Sequence, residues 1–144
     1  MQHTFLFEEA VWSAEGNYHS GSGAEVALEG ESRVEHEPGL WIVNTVMQVR
    51  DQPSQSVSSR YEIVPMRPGG SSTRWRMENP TVGRVEGKYV VVEDTLLSLY
   101  RSPDGRHSGT ECLVRLDERR YLNRGTLLRA GQLVSSWAVE LIRR

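Results

Sequence analysis

Hydrophobic and polar residues alternate with period two along much of this chain. The clearest stretch is residues 23–37, GAEVALEGESRVEHE. Val26, Leu28, Ser32, Val34 and His36 fall on one face, and Glu25, Glu29, Glu31, Glu35 and Glu37 on the other. Successive side chains of an extended strand point to opposite faces, so this is the signature of a strand with one face in a core. TRWRMEN (73–79) repeats it, with Trp75 and Met77 inward and Arg74, Arg76 and Glu78 outward. LWIVNTVMQV, SVSSRYEIVPM, YVVVEDTLLSLY and TECLVRLD are rich in β-branched and aromatic residues. Turn signals separate the runs: HSGSG (19–23), EPG (37–39), RPGG (67–70), ENP (78–80), VEG (85–87), SPDG (102–105) and RAG (129–131). Gly, Pro, Asn and Asp at such spacing predict successive hairpins and about ten strands. Most connections are too short for a crossover helix, so pairing is antiparallel. A meander of this length hides its edges by closing on itself. The expected fold is all-β: one domain over 1–144, a closed or nearly closed antiparallel meander barrel.

The terminal run LVSSWAVELIRR (133–144) is apolar on both faces yet keeps a carboxylate, Glu140. Leu133, Val134, Trp137, Ala138, Leu141 and Ile142 would also make a helical stripe, so periodicity alone leaves two readings open. The run follows Gly131 with no helix-capping residue, and a meander needs a strand to close against its first. Both points favour a strand.

Charge sharpens this picture. The net charge of −2 gives no general attraction to nucleic acid or to an anionic membrane. It hides an asymmetry: residues 8–37 carry Glu8, Glu9, Glu15, Glu25, Glu29, Glu31, Glu35 and Glu37 against Arg33, whereas residues 101–144 are rich in arginine. If the last strand closes against the first, opposite charges meet across the seam. Of the 17 basic residues, all but Lys88 are arginine, whose planar fork binds carboxylates bidentately. The one cysteine, Cys112, leaves no internal disulfide and reads as a small buried hydrophobe. A cytoplasmic location is expected, since the start MQHTFLFEEAVW has neither a basic n-region nor a sustained apolar run.

No phosphate-binding loop, nucleophile elbow, CxxC or HExxH motif is present. His3, His19, His36 and His107 are scattered without metal-ligand spacing, so no metal and no cofactor is expected. His36 reads as a rim or hydrogen-bonded core histidine. What remains is a small barrel whose interior can hold one small ligand. Tyr61 shares parity with Ile63, and Tyr61, Trp75, Met77 and Tyr89 are the candidate lining.

The overall pattern resembles the calycin superfamily, the lipocalin and fatty-acid-binding-protein barrels. Trp12 with the following SAEGNY is similar to the tryptophan near the start of lipocalins, although Ala10 stands where their glycine would be. In the second half, GKYVVVEDTLLSLY is similar to a strand of the S-type phycobiliprotein chromophore lyases through Gly87, Tyr89, Asp94, Leu97 and Leu99. SSWAVELIRR resembles that family's ending through Ser136, Trp137, Glu140 and Leu141. Ile142 occupies the slot of its arginine and Arg143 comes one place late; Asn123-Arg124 keeps only part of its double-arginine pattern. The resemblance implies a barrel that binds a bilin and passes it to a cysteine of a phycobiliprotein subunit.

Three functions follow. The first is binding of a bulky hydrophobic ligand with an anionic end. Glu140 and Arg124 would then pair inside the cavity, or Arg124 would grip a ligand carboxylate while Glu140 holds it, since a buried carboxylate needs a partner. In the other parity Glu140 lies outside and Trp137 points in. The second is bilin transfer, with Glu140 or Asp94 as the acid/base group. The third is a filled barrel working through its surface as a homodimer.

Overall fold

The computed structural model describes residues 2–144. Ten strands follow one another: β1 (Ala10–Ser20), β2 (Glu25–Glu37), β3 (Leu40–Val49), β4 (Gln52–Ile63), β5 (Ser72–Asn79), β6 (Gly83–Val92), β7 (Thr95–Arg101), β8 (His107–Asp117), β9 (Arg120–Arg129) and β10 (Gln132–Arg143). Each pairs antiparallel with the next, β10 pairs with β1, and the sheet closes as a barrel. Among the described residues no helix forms. The expected all-β meander is therefore the fold, with the terminal run as its closing strand.

Two local readings change. VEG (85–87) is not a turn: Gly87 lies inside β6, directly across from Trp75. YVVVEDTLLSLY is not one strand: it breaks at Glu93–Asp94 into β6 and β7, with Glu93 at φ 53°. A strong β-forming sequence on both sides masks a two-residue hairpin turn, because the turn residues carry no glycine or proline.

The seam joins Trp12 to Arg143 and Ser20 to Ser135 in unbroken register. Ala14 faces Leu141 and Gly16 faces Val139, both pairs pointing inward. Arg143 bonds Glu8 at 2.6 Å and Arg144 bonds Glu31 at 2.5 Å, so early acids do meet late bases. Glu15 instead stands opposite Glu140 on the outer face. Such exposed pairs contribute about 0–1 kcal/mol each, so the backbone ladder and the inward apolar pairs hold the seam.

The two ends of the barrel differ. Before β1 the chain folds across one end and plugs it. Phe5 meets Trp12 and Tyr121 edge-on or tilted at ring distances of 5.5 and 5.9 Å. His3 bonds the Tyr121 hydroxyl through Nδ1 and the Glu93 carbonyl through Nε2, each at 2.9 Å. Leu6 adopts φ 74°, a rare conformation for a bulky residue, and its carbonyl accepts from His36 Nε2 at 2.7 Å. His36 stacks flat on Trp41. Beneath the plug Trp12, Val34, Ile63, Leu96, Leu113, Tyr121 and Leu141 are fully buried. Toward the other end, Tyr18, Val26, Leu28, Met47, Tyr61, Tyr100 and Trp137 share the same inward register yet are only half-buried. That end is open.

Candidate functional site

One row of inward residues crosses the middle of the wall. Tyr89 on β6 stands opposite Ser98 on β7, Ser98 opposite Glu111 on β8, Glu111 opposite Gly125 on β9, Gly125 opposite Trp137 on β10, and Trp137 opposite Tyr18 on β1. Glycine is needed here. A Cβ on Gly125 would fall inside the Trp137 indole, so its absence lets that ring lie flat across β9. Gly87 does the same for Trp75, and Gly109 for Tyr100. The aromatic side chains thus lie along the wall rather than across the lumen.

Glu111 is the unexpected member. It is enclosed by protein yet only half-buried at its surface, because it borders the internal space. Trp137 Nε1 donates to Glu111 Oε2 and to Asn123 Oδ1, 3.2 Å each. Burial raises the Glu111 carboxyl above the usual glutamate range, and bonds with Asn123 and Trp137 oppose the shift. Magnitudes explain the direction. Removing a carboxylate from water costs several kcal/mol even after relaxation, whereas each hydrogen bond to a charged group returns about 1.5–3 kcal/mol. Among the described residues no cation is close enough to act on Glu111 and supply the rest. Burial, and secondarily the Glu111 charge, also push the hydroxyls of Tyr61, Tyr89 and Tyr100 well up, so they stay neutral donors.

Beside Glu111 lies an aromatic cluster. Trp75 is 5.3 Å from Tyr61, 5.7 Å from Tyr89 and 5.9 Å from Tyr100, ring centre to ring centre. Its Nε1 is buried and has no hydrogen-bond partner. At the mouth the wall is uneven. β4 pairs with β5 only over Arg60–Ile63, so its earlier residues stand clear of β5. A groove of about 690 Å³ bordered by Ser59, Asn79 and Pro80 opens in that gap.

The structure turns Tyr61, Trp75, Met77, Tyr89 and Trp137 toward the interior and brings the first four together. Glu140 and Arg124 are corrected: both point outward, and they do not pair. Inward positions on β10 are odd-numbered, set by Val139 and Leu141, so Glu140 faces out and sits 3.8 Å from Arg120. On β9 Tyr121 and Asn123 take the inward positions, and Arg124 is exposed, bonding the Asn123 carbonyl at 3.0 Å. Asp94 is corrected as an acid/base group: it lies in the β6–β7 turn at the plugged end, where Thr95 Oγ1 donates to it at 2.9 Å. Cys112 is half-buried on the outer face, not a core residue. Glu111 and Asn123 were missed. Their signal was parity: Glu111 shares a face with Leu113, and Asn123 with Tyr121. Among the described residues no cluster of three or more His, Cys, Asp or Glu forms a metal site.

No protein-family model and no curated protein matches the chain. Among solved structures the fold is similar to that of an S-type phycobiliprotein lyase from Guillardia theta, with a TM-score of 0.71 and 8% identity over 97% of this chain and 90% of the lyase. It is also similar to Rv2717c from M. tuberculosis, with a TM-score of 0.68 and 14% identity over 94% of this chain and 92% of that one. A redesigned β-barrel matches at a TM-score of 0.50 and 12% identity, covering 98% and 94% of the two chains. At these identities the likeness is one of fold.

Proposed function

We infer that this protein binds a flat, largely apolar small molecule in the open half of a calycin-like barrel. One observation carries the reading. Inward residues are sealed in the plugged half, whereas in the other half Tyr18, Leu28, Met47, Tyr61, Tyr100 and Trp137 stay half-buried beside buried Met77, Val85 and Ser135, with a carboxyl at the boundary between the halves. An inward carboxyl with a raised pKa and no cation is poised for a ligand that brings an N–H donor or a protonated nitrogen. The unpartnered Trp75 Nε1 is poised for an acceptor on the same ligand. Ring faces of Tyr61, Trp75, Tyr89 and Tyr100 offer stacking area. The expected anionic end of the ligand then belongs at the mouth, where His107 and Arg129 take facing inward register positions.

A bilin-like tetrapyrrole fits this polarity, with pyrrole N–H groups inside and carboxylates outside, and the fold likeness to the Guillardia lyase supports that choice of probe. Biliverdin titrated into the protein should quench tryptophan emission. Trp75→Leu should reduce the quenching, Glu111→Gln should weaken binding at least tenfold, and Arg124→Ala should change neither. Equal binding by Glu111→Gln and the wild type would remove the interior from the site.

The same likeness supports transfer of a bilin to a partner cysteine as the second reading. Glu111, the interior carboxyl whose proton burial holds more tightly, is then its acid/base residue. Incubation with phycocyanobilin and an apo-phycobiliprotein subunit, followed by intact mass measurement, tests it. A subunit that gains no bilin mass above the uncatalysed control leaves binding alone.

A further inference from the structure

We propose that the outer wall of β5–β7 is a docking surface for an acidic protein segment. A groove of about 850 Å³ runs along this wall, lined by five cations, Arg74, Arg76, Arg84, Lys88 and Arg101, against two carboxylates, Glu62 and Glu86. Arg76 is held by Glu62 at 3.2 Å and Arg84 by Glu86 at 3.3 Å. Among the described residues Arg74, Lys88 and Arg101 have no ion-pair partner.

The register makes this costly for the protein alone. Arg74 stands directly across from Lys88, and like charges at such positions destabilise a sheet. The next outward position on the far side of Lys88 is Leu99, 54% exposed, and Val64 at the groove's other border is 57% exposed. Arginine, enriched at protein interfaces, here borders exposed aliphatic side chains that a partner could cover.

The occupant is chosen by charge and pattern. The densest run of acids lies elsewhere: β2, on the far wall, turns Glu25, Glu29, Glu31, Glu35 and Glu37 outward. Charge is therefore unevenly divided around the barrel despite the net charge of −2, and acidic partners are drawn to the side away from β2, which includes β5–β7. The aromatics that border the groove, Trp75 and Tyr100, take inward positions and pack on each other at 5.9 Å, so neither offers a free ring face on the outer wall to a nucleic-acid base. Glu62 and Glu86 interrupt the cations, which suits a patterned protein surface better than a continuous row of phosphates or anionic headgroups. Partner carboxylates would settle over Arg74, Lys88 and Arg101, and a partner aliphatic side chain between Val64 and Leu99.

Fluorescence anisotropy with a labelled peptide of alternating glutamate and leucine tests this, using the full chain at low and high salt. Wild type should bind it, and raising the salt should weaken binding. Arg74→Glu with Lys88→Glu should weaken it more than tenfold, Leu99→Ser several-fold, and Arg33→Glu on the acidic wall less than twofold. All four positions are exposed, and circular dichroism checks that each variant keeps the fold. No peptide binding, or binding indifferent to Arg74→Glu with Lys88→Glu, overturns the proposal. So does binding of heparin or phosphatidylglycerol vesicles without binding of the peptide. Sedimentation velocity completes the test: low-salt self-association abolished by the same double substitution would make the occupant the acidic wall of a second copy instead.

Discussion

The plugged and open ends of this barrel are built from the same ten strands and end in opposite environments. Residues 3–7 lie across one end and seal an apolar core around Trp12 and Tyr121. Toward the other end the inward residues Glu111, Asn123, Tyr18 and Trp137 are only half-buried. Closing a sheet therefore does not by itself fill a core; something must cover the end. Each large apolar side chain fully buried under the plug contributes about 1.5–3 kcal/mol. The open half forgoes part of that gain, and a ligand seated there would restore it.

The harshest way to break the comparison is to open the wall itself. Removing residues 133–144 strips β10 and leaves β1 and β9 as bare edges, so the chain should aggregate, as light scattering would show. A monomer of unchanged stability would make β10 dispensable. Next come the two tryptophans. Trp12→Ala in the plugged half should cost about 3–5 kcal/mol in urea denaturation, and Trp137→Ala, half-buried in the open half, about 1–2 kcal/mol. Equal costs would mean the ends are equally packed. Gly125→Ala sharpens the view of the open half: its methyl group displaces the Trp137 indole, at about 1–3 kcal/mol. The Trp137–Glu111 bond should break, with a shift in tryptophan emission.

The two ends should also titrate in opposite directions. Burial raises the Glu111 carboxyl, so the folded state holds that proton more tightly than the unfolded chain does. Its contribution is full below the ordinary glutamate range and is lost as pH rises through the raised value. Burial, chiefly, lowers His3, so the plug's contribution is full above the ordinary histidine range and is lost as pH falls through the lowered value. Glu111→Gln should raise Tm at pH 8 and leave it nearly unchanged at pH 4, and His3→Gln should flatten the acid limb. The smallest effect belongs to the seam's charges. Arg143→Ala with Arg144→Ala should cost at most about 1–2 kcal/mol in all and leave a folded, soluble protein, since both pairs reach solvent.

Strand parity was legible wherever one face of a strand was charged. The glutamates of β2 and the arginines of β5 name their outer faces, and so place Val34, Trp75 and Met77 inside. It was not legible on β8, β9 and β10, which are apolar on both faces. There a shift of one residue exchanges Glu140 for Val139 and Arg124 for Asn123, and with them the chemistry of the interior. Glu111 was hidden for the same reason, between Thr110 and Cys112 in a run of β-formers.

The sequence by itself determined the local choices: period-two runs, turn residues between them, and connections too short for anything but antiparallel neighbours. Those are properties of a few consecutive residues, so they can be read in order. Tertiary structure alone decided what depends on residues far apart in the chain. Residues 3–7 become a plug only because Tyr121, Glu93 and His36 arrive at the same end of the barrel. Gly125 is a seat for an indole only because β10 brings Trp137 beside it. Glu111 becomes a buried carboxyl because closure removes water from one side of β8, and Trp137 and Asn123 reach it only because β9 and β10 lie alongside.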